Sequence, residues 1–291
     1  MTTNDVQSLA IVLPVLNEGI NLRIMLKILR ATVDVPHEVL VVCDSPDDDS
    51  IPVVEKMQRD YEHVRVVHNT LGRGVINAIR AGVSAAKSDV ILIFAADEVG
   101  PVLAIDDMLE LIREGHDFVS CTRYAHGGRR LGGSAVGGVM SRTANRLFSR
   151  VAGSALSDAT TGIKMFRKSV FADLALESKP VGWAVAFEMS IKAQLRGLKL
   201  AEVPIVSIDR LYGGKSTFKL GPWTVEYLRW FLWGATRLHR APKQQPAVRI
   251  PRSINWRGKT TVDPPESEMP REAANGKAKH HDQNEQRWSQ S

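Results

Sequence analysis

Two acidic loops each follow a short apolar run that predicts a buried strand. The sequence Cys-Asp-Ser-Pro-Asp-Asp-Asp at 43–49 ends the first run, and Ala-Asp-Glu at 96–98 follows the second. A strand that ends in carboxylates places them at the carboxyl edge of a sheet, where open α/β folds bind ligands. Carboxylates gathered there suit a hard cation such as Mg²⁺ or Mn²⁺, and such a cation suits phosphate.

Strand and helix patterns alternate along the first 121 residues. The predicted strands are Leu9–Leu13, Val39–Cys43, Val64–Val67, Val90–Phe94 and Phe118–Cys121. The predicted helices between them are Asn21–Ala31, Ile51–Arg59, Val75–Ala86 and Val102–Arg113. This alternation implies right-handed crossovers, and therefore a Rossmann-like α/β fold with a mostly parallel sheet flanked by helices.

The pattern changes after Tyr124. Two further helices are predicted at Arg142–Val151 and Ala184–Leu195, and a strand at Leu200–Ile208 is interrupted by Pro204, which indicates an edge position. Few apolar residues follow Ala241, so the end of the chain is expected to be disordered. We therefore divide the chain into a main domain at 1–217, a helical segment at 218–240 and a polar basic tail at 241–291.

Composition and charge limit the class of protein. The chain has 291 residues, of which 44% are hydrophobic, so it can hold one large globular domain with an appendage. Two cysteines offer no disulfide framework and fit a reducing, cytoplasmic compartment, and no signal peptide is expected at the N-terminus. From Lys215 onward there are 14 basic and 7 acidic residues, which indicates an anionic partner surface, either membrane or nucleic acid.

The common nucleotide-binding motifs are absent. A dinucleotide-binding fold needs G-x-G-x-x-G straight after the first strand, where this chain has Pro-Val-Leu-Asn-Glu-Gly at 14–19. The glycines Gly72 and Gly74 lack a third partner, and there is no Walker A loop. Both fold types are therefore disfavoured, although the acidic edge is typical of a nucleotide site.

Several motifs in order resemble family 2 glycosyltransferases of the GT-A fold. Pro-Val-Leu-Asn-Glu at 14–18 is similar to the opening motif of this family, and the acidic loop at 44–50 is similar to its D-D-x-S-x-D-x-T motif. Gly-Arg-Gly-Val-Ile-Asn-Ala at 72–78 resembles the family's G-K/R-G-x-x-x-A motif at the start of a helix. Ala-Ala-Asp at 95–97 occupies the place of the D-x-D motif. The order of later motifs, spread over residues 122–216, is most similar to the dolichol- or polyprenyl-phosphate mannosyltransferase branch.

This resemblance implies roles for individual residues. Asp97 and Glu188 are the implied catalytic residues, and Asp97 and Glu98 the implied ligands of Mg²⁺ or Mn²⁺. The implied substrate-binding residues are Pro14, Asn17, Glu18, Asp44, Asp48, Arg73, Arg123, Arg142, Asp158, Thr161, Lys164, Arg210 and Lys215. Carboxylates accept hydrogen bonds from base or ribose, and guanidinium groups grip phosphate in two places. An anionic lipid phosphate makes a strong general base dispensable, so Glu188 is the weaker of the two catalytic assignments.

Ordinary structural roles compete with these assignments. The run Asp47–Asp49 can be a solvated loop that caps the following helix, and Glu18 can complement a helix dipole. Asp158 can be a turn residue, Glu188 an ion-pair partner, and Arg142 part of a solvated arginine face with Arg146 and Arg150.

The function implied by the resemblance is transfer of a sugar from GDP-mannose or a UDP-sugar to a polyprenyl phosphate or another acceptor, with inversion and a divalent cation. Ala95 stands where the motif has its first aspartate, so a catalytically weakened sugar-nucleotide-binding protein is one alternative. A nucleotidyltransferase is the other, although it normally has a glycine-rich basic loop after the first strand.

The segment Trp223–Arg240 predicts an amphipathic helix rich in tryptophan. Glu226, Arg229, Trp233 and Arg237 share a narrow sector, while apolar residues occupy the broad opposite side. Such a helix suits a membrane interface, yet it can equally pack on the core or form a homodimer. The expected partners are thus a nucleotide sugar, a lipid phosphate and the cytoplasmic face of a membrane or a membrane protein, with no nucleic acid.

Overall fold

The carboxyl-terminal ends of several parallel strands meet at one edge of an eight-stranded sheet. The computed structural model describes residues 6, 8–132, 135–208, 220–241, 243–252 and 254. The strands are β1 (Leu9–Val15), β2 (His37–Cys43), β3 (Val64–His68), β4 (Val90–Ile93), β5 (Phe118–Thr122), β6 (Arg129–Leu131), β7 (Lys164–Arg167), β8 (Leu200–Pro204), β9 (Val206–Ile208) and β10 (Ala247–Val248). The main sheet has the order β10-β8-β5-β7-β4-β1-β2-β3, and β6 pairs with β9 in a separate ribbon.

Only β7 runs against its neighbours in the main sheet. It pairs antiparallel with β4 and β5, whereas the other pairings are parallel. The sheet is therefore mostly parallel and flanked by helices, which confirms the predicted fold class.

Helices cover both faces of this sheet. They are α1 (Gly19–Thr32), α2 (Ile51–Met57), α3 (Val75–Ala85), α4 (Ile105–Arg113), α5 (Ala135–Ala152), α6 (Ala184–Leu195) and α7 (Leu220–Arg237). One apolar core joins α1, α2 and α4 to one face, and a second joins α3 and α6 to the other. Alternate residues of β1, such as Ile11 and Val12, point into different cores, because successive side chains of a strand face opposite sides.

The predicted helix at the C-terminal end of the domain packs on the protein rather than standing alone. In α7, Trp230 and Phe231 join Phe148 of α5 and Phe187 of α6 in a third apolar cluster. Glu226, predicted to lie on the polar side, is 2% exposed and accepts hydrogen bonds from Lys179 N at 3.0 Å and from Trp230 Nε1 at 3.2 Å. Within the described residues, no helix combines the length and the apolar character needed to cross a bilayer.

Two expectations about the C-terminal third need correction. The predicted strand Leu200–Ile208 divides at Pro204 into β8 and β9, and β8 lies between β5 and β10 instead of at an edge. The expected disorder from residue 241 onward does not hold for β10, which pairs with Ala201 and Glu202 of β8. Arg249 anchors this segment by ion pairs with Asp107 at 3.0 Å and Glu114 at 2.9 Å. The rest of the expected tail, from residue 255, lies outside the described residues.

Close packing of α3 on the sheet depends on Gly82. A Cβ atom at this position would come within 2.4 Å of Val12 Cγ1 and 3.1 Å of Val42 Cγ2. Both valines are buried and stiff about χ1, so they cannot easily turn away.

We therefore expect Gly82→Ala to lower the free energy of unfolding by about 1–2 kcal/mol, because overpacking outweighs the better helix propensity of alanine. Urea unfolding would measure the change. Ser84→Ala, at an exposed position of the same helix, is the matched control and should leave the stability nearly unchanged. A Gly82→Ala protein as stable as the wild type would contradict the packing argument.

Candidate active site

Parallel pairing of β1 with β2 and β4 brings three loops to one edge. Val15 at the end of β1 lies opposite Cys43 at the end of β2, and β4 runs in the same direction on the other side. The loops that follow contain Glu18, Asp44 and Asp97, which are all half-buried. The two acidic loops therefore share an edge, as the sequence predicts.

The first acidic loop is hydrogen-bonded to the loop after β1. Asp48 Oδ2 accepts a hydrogen bond from Asn17 N at 3.0 Å, and its Oδ1 accepts one from Ser50 N at 2.9 Å. Asp49 Oδ1 accepts one from Gly19 N at 2.9 Å, while Ser50 Oγ accepts one from Glu18 N at 3.2 Å. These bonds hold Asn17 at a φ of 55°, which is uncommon for a residue other than glycine.

Asp48 consequently supports the loop instead of presenting a ligand. Its side chain is 3% exposed and both oxygens are engaged within the loop pair. The alternative of a solvated capping run does not hold for Asp48, because its side chain is buried. Its direct contact with the nucleoside stays a prediction. The hydrogen bond between Asp48 and Asn17 could not be read from the sequence, because the two residues are 31 positions apart.

Asp44 is held in a different way and keeps acceptor capacity. Its Oδ1 accepts a hydrogen bond from Asn69 Nδ2 at 2.6 Å and its Oδ2 accepts one from Gly74 N at 2.9 Å. A carboxylate has about four lone-pair sites, so this half-buried group can accept further donors. The exposed Arg73 precedes Gly74 in the same loop. Asn69, which orients Asp44, was missed at the level of sequence because no motif marks it.

Glu18 lies at the start of α1, and Pro14 is half-buried in β1. Glu18 Oε2 accepts a hydrogen bond from Asn21 Nδ2 at 2.7 Å, which fixes the carboxylate at the helix start. Asn17 is exposed on the same loop. The predicted donor-side residues Pro14, Asn17, Glu18, Asp44 and Arg73 are thus together at one edge.

The second acidic loop follows β4 as a turn. Glu98 N donates to Ala95 O at 3.4 Å, and Asp97 and Glu98 are half-buried. Among the described residues, no group of three or more His, Cys, Asp or Glu side chains gathers around one point. The carboxylate of Asp97 nevertheless fits Mg²⁺, which is often held by one or two carboxylates with water and substrate phosphate.

Arg123 and Asp158 form a buried ion pair on the other side of the edge. Arg123 Nε donates to Asp158 Oδ2 at 2.7 Å and its Nη2 donates to Oδ1 at 3.0 Å, while Asp158 is fully buried. Burial opposes both charges, yet the pairing raises the pKa of Arg123 and lowers the pKa of Asp158 relative to their ordinary values. The pairing favours the charged form of both groups and gives Asp158 a structural partner, while its predicted contact with substrate stays a prediction.

Arg123 also belongs to an aromatic cluster at the site. Its guanidinium lies 5.0 Å from the ring centroid of Tyr124, and that of Arg142 lies 5.3 Å from the same ring. Tyr124 Oη donates to Ser141 Oγ at 2.8 Å, which joins the loop to α5. Arg142 is exposed, whereas the side chain of Arg123 is only 13% exposed, so Arg142 is the better placed of the two to meet an anion.

Thr161 and Lys164 are buried behind the ion pair. Lys164 is inaccessible in β7, its Nζ donates to Ser120 Oγ at 3.0 Å, and burial lowers its pKa to about 8 against the attraction of Asp158. Thr161 is also buried. Their burial favours a structural role, and their predicted contact with substrate stays a prediction.

Glu188 has a structural role in α6. Its fully buried carboxylate accepts hydrogen bonds from Glu177 N and from Ser178 N, the latter at 2.8 Å, and it pairs with Lys192 Nζ at 2.7 Å. These contacts favour the alternative of an ion-pair partner, and the role as a catalytic base stays a prediction. Arg210 and Lys215 lie outside the described residues, so their predicted roles stay predictions.

Glu188 supports a loop, residues 177–183, that was missed at the level of sequence. A Cβ on Gly74 would lie 2.6 Å from Pro180 Cβ, and one on Gly182 would lie 2.4 Å from the ring of Trp223. The loop therefore touches the donor-side loop at one end and α7 at the other. Its Pro and Gly residues were the available signal, but they indicated only a turn.

The fold and the acidic edge together define the GT-A class of glycosyltransferases. Residues 10–175 match the family described as Glycosyl transferase family 2, which is more than half of the chain. The chain therefore belongs to glycosyl transferase family 2, and it is a glycosyltransferase enzyme, as the motif order predicts.

Curated relatives include two proteins of archaea. The chain is 28% identical over 224 residues to a dolichol-phosphate mannosyltransferase of Pyrococcus furiosus, an alignment that covers 76% of this chain but 61% of that protein. It is 28% identical over 215 residues to a dolichyl-phosphate hexose transferase of Haloferax volcanii, covering 72% of this chain and 87% of the relative. Both names belong to the polyprenyl-phosphate branch to which the motifs pointed.

Solved structures of glucosyl-3-phosphoglycerate synthase from Mycobacterium tuberculosis have the same fold. The complex with UDP aligns with a TM-score of 0.59 at 17% identity, over 79% of this chain and 80% of the other. A complex with Mn²⁺, UDP-glucose and phosphoglyceric acid aligns with a TM-score of 0.61 at 16% identity, over 85% and 91% of the two chains. Similarity at this level establishes the fold.

Glu202 of β8 makes the stability of the site depend on pH. Its buried carboxylate accepts hydrogen bonds from Ser157 N at 2.8 Å and Ser157 Oγ at 3.1 Å. Burial raises its pKa from 4.5 to about 7, although these bonds oppose the shift. The folded state therefore favours the protonated form, and its advantage is complete below the unfolded-state pKa and is lost as the pH rises through the folded-state pKa.

We expect Glu202→Gln, which keeps an oxygen acceptor, to gain stability relative to the wild type as the pH rises from 4.5 to about 7. The difference in free energy of unfolding should grow by up to about 1.4 kcal/mol per pH unit and then level off. Denaturant unfolding over this pH range would measure it. Glu62→Gln, at a largely exposed position, should give a flat difference; a flat difference for Glu202→Gln as well would exclude the raised pKa.

Proposed function

We propose that this protein transfers a hexose from a nucleotide-sugar donor to a polyprenyl phosphate, with inversion at the anomeric carbon. The observation that carries the proposal is the division of one sheet edge into two parts. Carboxylates of Glu18, Asp44 and Asp97 lie at the ends of β1, β2 and β4, while Arg142 and Tyr124 lie beyond the end of β5. An edge of this kind matches a donor with hydroxyl and amide groups on one side and an anionic acceptor on the other.

The donor pocket comprises the loops that hold Glu18, Asp44 and Arg73. Asp44 retains acceptor sites beyond its bonds with Asn69 and Gly74, so it can receive hydrogen bonds from ribose or base. UDP and UDP-glucose occur in the complexes of the mycobacterial synthase, and a mannosyltransferase is among the relatives. We therefore keep UDP-sugars and GDP-mannose as the candidate donors.

A divalent cation belongs to this proposal. Mn²⁺ and Mg²⁺ are present in complexes of the mycobacterial synthase, and Asp97, with Glu98 as a second candidate, would hold the ion here. When bound, such an ion stabilises negative charge on the departing nucleoside diphosphate.

The acceptor phosphate makes a protein base unnecessary. One of its anionic oxygens bonds to the anomeric carbon as the bond from that carbon to the donor diphosphate breaks, and the diphosphate leaves with the electron pair. No proton moves, which agrees with the burial of Glu188 in an ion pair. Arg142 would bind the acceptor phosphate, with Arg210 and Lys215 as further candidates, and Arg123 would position Tyr124.

The proposal has consequences for location and organisation. A lipid acceptor implies peripheral contact with the cytoplasmic face of a membrane or with a membrane-protein partner. We also propose that residues 1–217, together with β10, form the catalytic part, that 218–240 provide the helix packed on it, and that the tail follows.

Ala95 favours a second candidate function, a sugar-nucleotide-binding protein without turnover. Alanine removes one carboxylate from the place where the family motif has aspartate. Asp97 would then bind a cation too weakly to support transfer. Turnover experiments with the wild-type protein separate the two functions directly.

We expect Asp97→Asn to reduce transfer to a short-chain, water-soluble isoprenyl phosphate by about 100-fold or more, because a ligand of the cation loses its charge. Labelled nucleotide sugar, Mg²⁺ or Mn²⁺ and extraction of the lipid product would measure the rate. Asp47→Asn, at an exposed position of the first acidic loop, should retain the wild-type rate and serves as the control. Full activity of Asp97→Asn would remove the proposed metal role, and binding without turnover by the wild type would favour the second function.

The donor can be identified by its effect on thermal stability. A ligand that binds only the folded state stabilises it by about 2.7 kcal/mol at a concentration 100 times its dissociation constant. We expect one of GDP-mannose, UDP-glucose or a related UDP-sugar to raise the melting temperature more than the others do. Equal shifts with all donors would argue against a selective nucleoside pocket around Glu18 and Asp44.

A further inference from the structure

Large apolar side chains are exposed together on α5 and α7. They are between 50% and 67% exposed. On α5 they are Val139, Met140, Leu147 and Val151, and on α7 they are Val225, Leu228 and Leu232. Burial of the neighbouring Phe148 and Trp230 shows that each helix also has a conventional inner face. The outer apolar residues are thus additional to those that the fold requires.

Helix geometry brings the two exposed sets to one seam. The helices meet where the rings of Phe148 and Phe231 lie 5.2 Å apart, and Gly234 leaves room for Phe148. Met140, Leu147 and Val151 are spaced i, i+7 and i+11, so they share one side of α5. Val225, Leu228 and Leu232 are spaced i, i+3 and i+7, so they share one side of α7. With the inner sides fixed by packing, each stripe lies on the exposed side of its helix, beside this contact.

The exposed charges of α5, α7 and the turn after α7 have one sign. Helix α5 contains no acidic residue, and the only one in α7 is Glu226, which is buried. The exposed arginines of these segments are Arg142, Arg146, Arg150, Arg229, Arg237 and Arg240. Of these, Arg229 is paired with Glu226 at 2.9 Å. We call the exposed apolar stripes and these arginines the α5–α7 face.

We infer that the α5–α7 face binds the surface of an anionic lipid bilayer. Apolar side chains would enter the boundary between headgroups and acyl chains, while the arginines pair with lipid phosphates. A second copy of the chain fits less well, because a self-contact would bring arginines of like charge together. The inference rests on the surface alone; only its use for meeting a lipid acceptor rests on the proposed function.

The face also has a defined relation to the site. Arg142 lies on α5 and over the ring of Tyr124, so the basic side of the face reaches the acceptor side of the sheet edge. A bilayer bound here would bring the phosphate of an embedded lipid close to that edge without any spanning helix. This orientation extends the prediction of an amphipathic helix, since α5 supplies half of the surface and the inner side of α7 is used for packing.

The test is cosedimentation of the full chain with vesicles of phosphatidylcholine, with and without about 30 mol% phosphatidylglycerol as anionic lipid. We expect binding to the anionic vesicles only. Arg146→Gln/Arg150→Gln should weaken the partition coefficient by about 30-fold, because each arginine near the surface contributes about 1 kcal/mol. Leu232→Ser should weaken it by about fivefold or more through lost apolar insertion.

Matched controls change the same residue types elsewhere. Arg59→Gln/Arg196→Gln removes two exposed arginines, and Leu103→Ser changes a leucine that is 64% exposed away from the face. Both controls should bind as the wild type does, and all variants should keep the wild-type rate with the water-soluble acceptor. Equal losses in controls and face variants would overturn the inference, as would absence of vesicle binding by the wild type.

Sedimentation equilibrium tests the other candidate occupant of the α5–α7 face, a second copy of the chain. A wild-type dimer that Leu232→Ser converts to a monomer would make the face a contact between copies and overturn the inference. Vesicle binding that depends on the face, combined with no transfer to any acceptor, would instead remove the proposed function and leave this inference in place. Transfer to the soluble acceptor without vesicle binding would instead overturn this inference and leave the proposed function in place.

Discussion

Strand β1 is paired in parallel with β2 on one side and with β4 on the other, and the site depends on this arrangement. Parallel strands that share a direction end at the same edge, so residues about 80 positions apart, such as Glu18 and Asp97, follow neighbouring strands. The antiparallel β7 then separates β4 from β5. The loops after β1, β2 and β4 and the loop after β5 consequently lie on either side of one inserted strand.

Carboxylates at this edge divide into two kinds. Asp48, Asp158 and Glu188 are buried and use their oxygens to hold loops or a guanidinium in place. Glu18, Asp44 and Asp97 are half-buried on the loops themselves. Buried carboxylates need partners to offset the cost of losing water, so the first kind is already committed before any ligand arrives. The first set therefore fixes the shape of the loops, and the second set carries the proposed contacts with ligand.

Much of the fold was predictable because its signals are local. Apolar runs such as Val39–Cys43 and amphipathic patterns such as Ile105–Arg113 specify strands and helices within a few residues. Strand β7 was not predictable in this way, because it contains the charged residue Lys164, which a local pattern does not mark as buried. Lys164 is buried with a hydrogen-bond partner elsewhere in the chain, Ser120, which is 44 positions away. The strand that contains Pro204 was likewise expected at an edge of the sheet, because its pairing with β10 joins segments that are far apart in the sequence.

Sequence motifs pointed to loops that the structure brings to one edge, among them those of Asp44 and Asp97. The roles assigned to individual residues stay predictions. The motifs did not show that the carboxylates of Asp48 and Glu188 are buried and hydrogen-bonded to backbone N–H groups. Burial and partner identity come from tertiary structure, and a linear motif contains neither.

The loop at 177–183 contacts both the loop that holds Asp44 and helix α7. Pro180 contacts Gly74, whose N–H holds Asp44, while Gly182 contacts Trp223 and Lys179 N donates to Glu226 of α7. A displacement of α7 must therefore be accommodated next to Asp44, in the proposed nucleoside pocket. Such coupling is reciprocal. If binding at α7 raises the affinity of the pocket for its ligand, then that ligand raises the affinity of binding at α7 by the same factor.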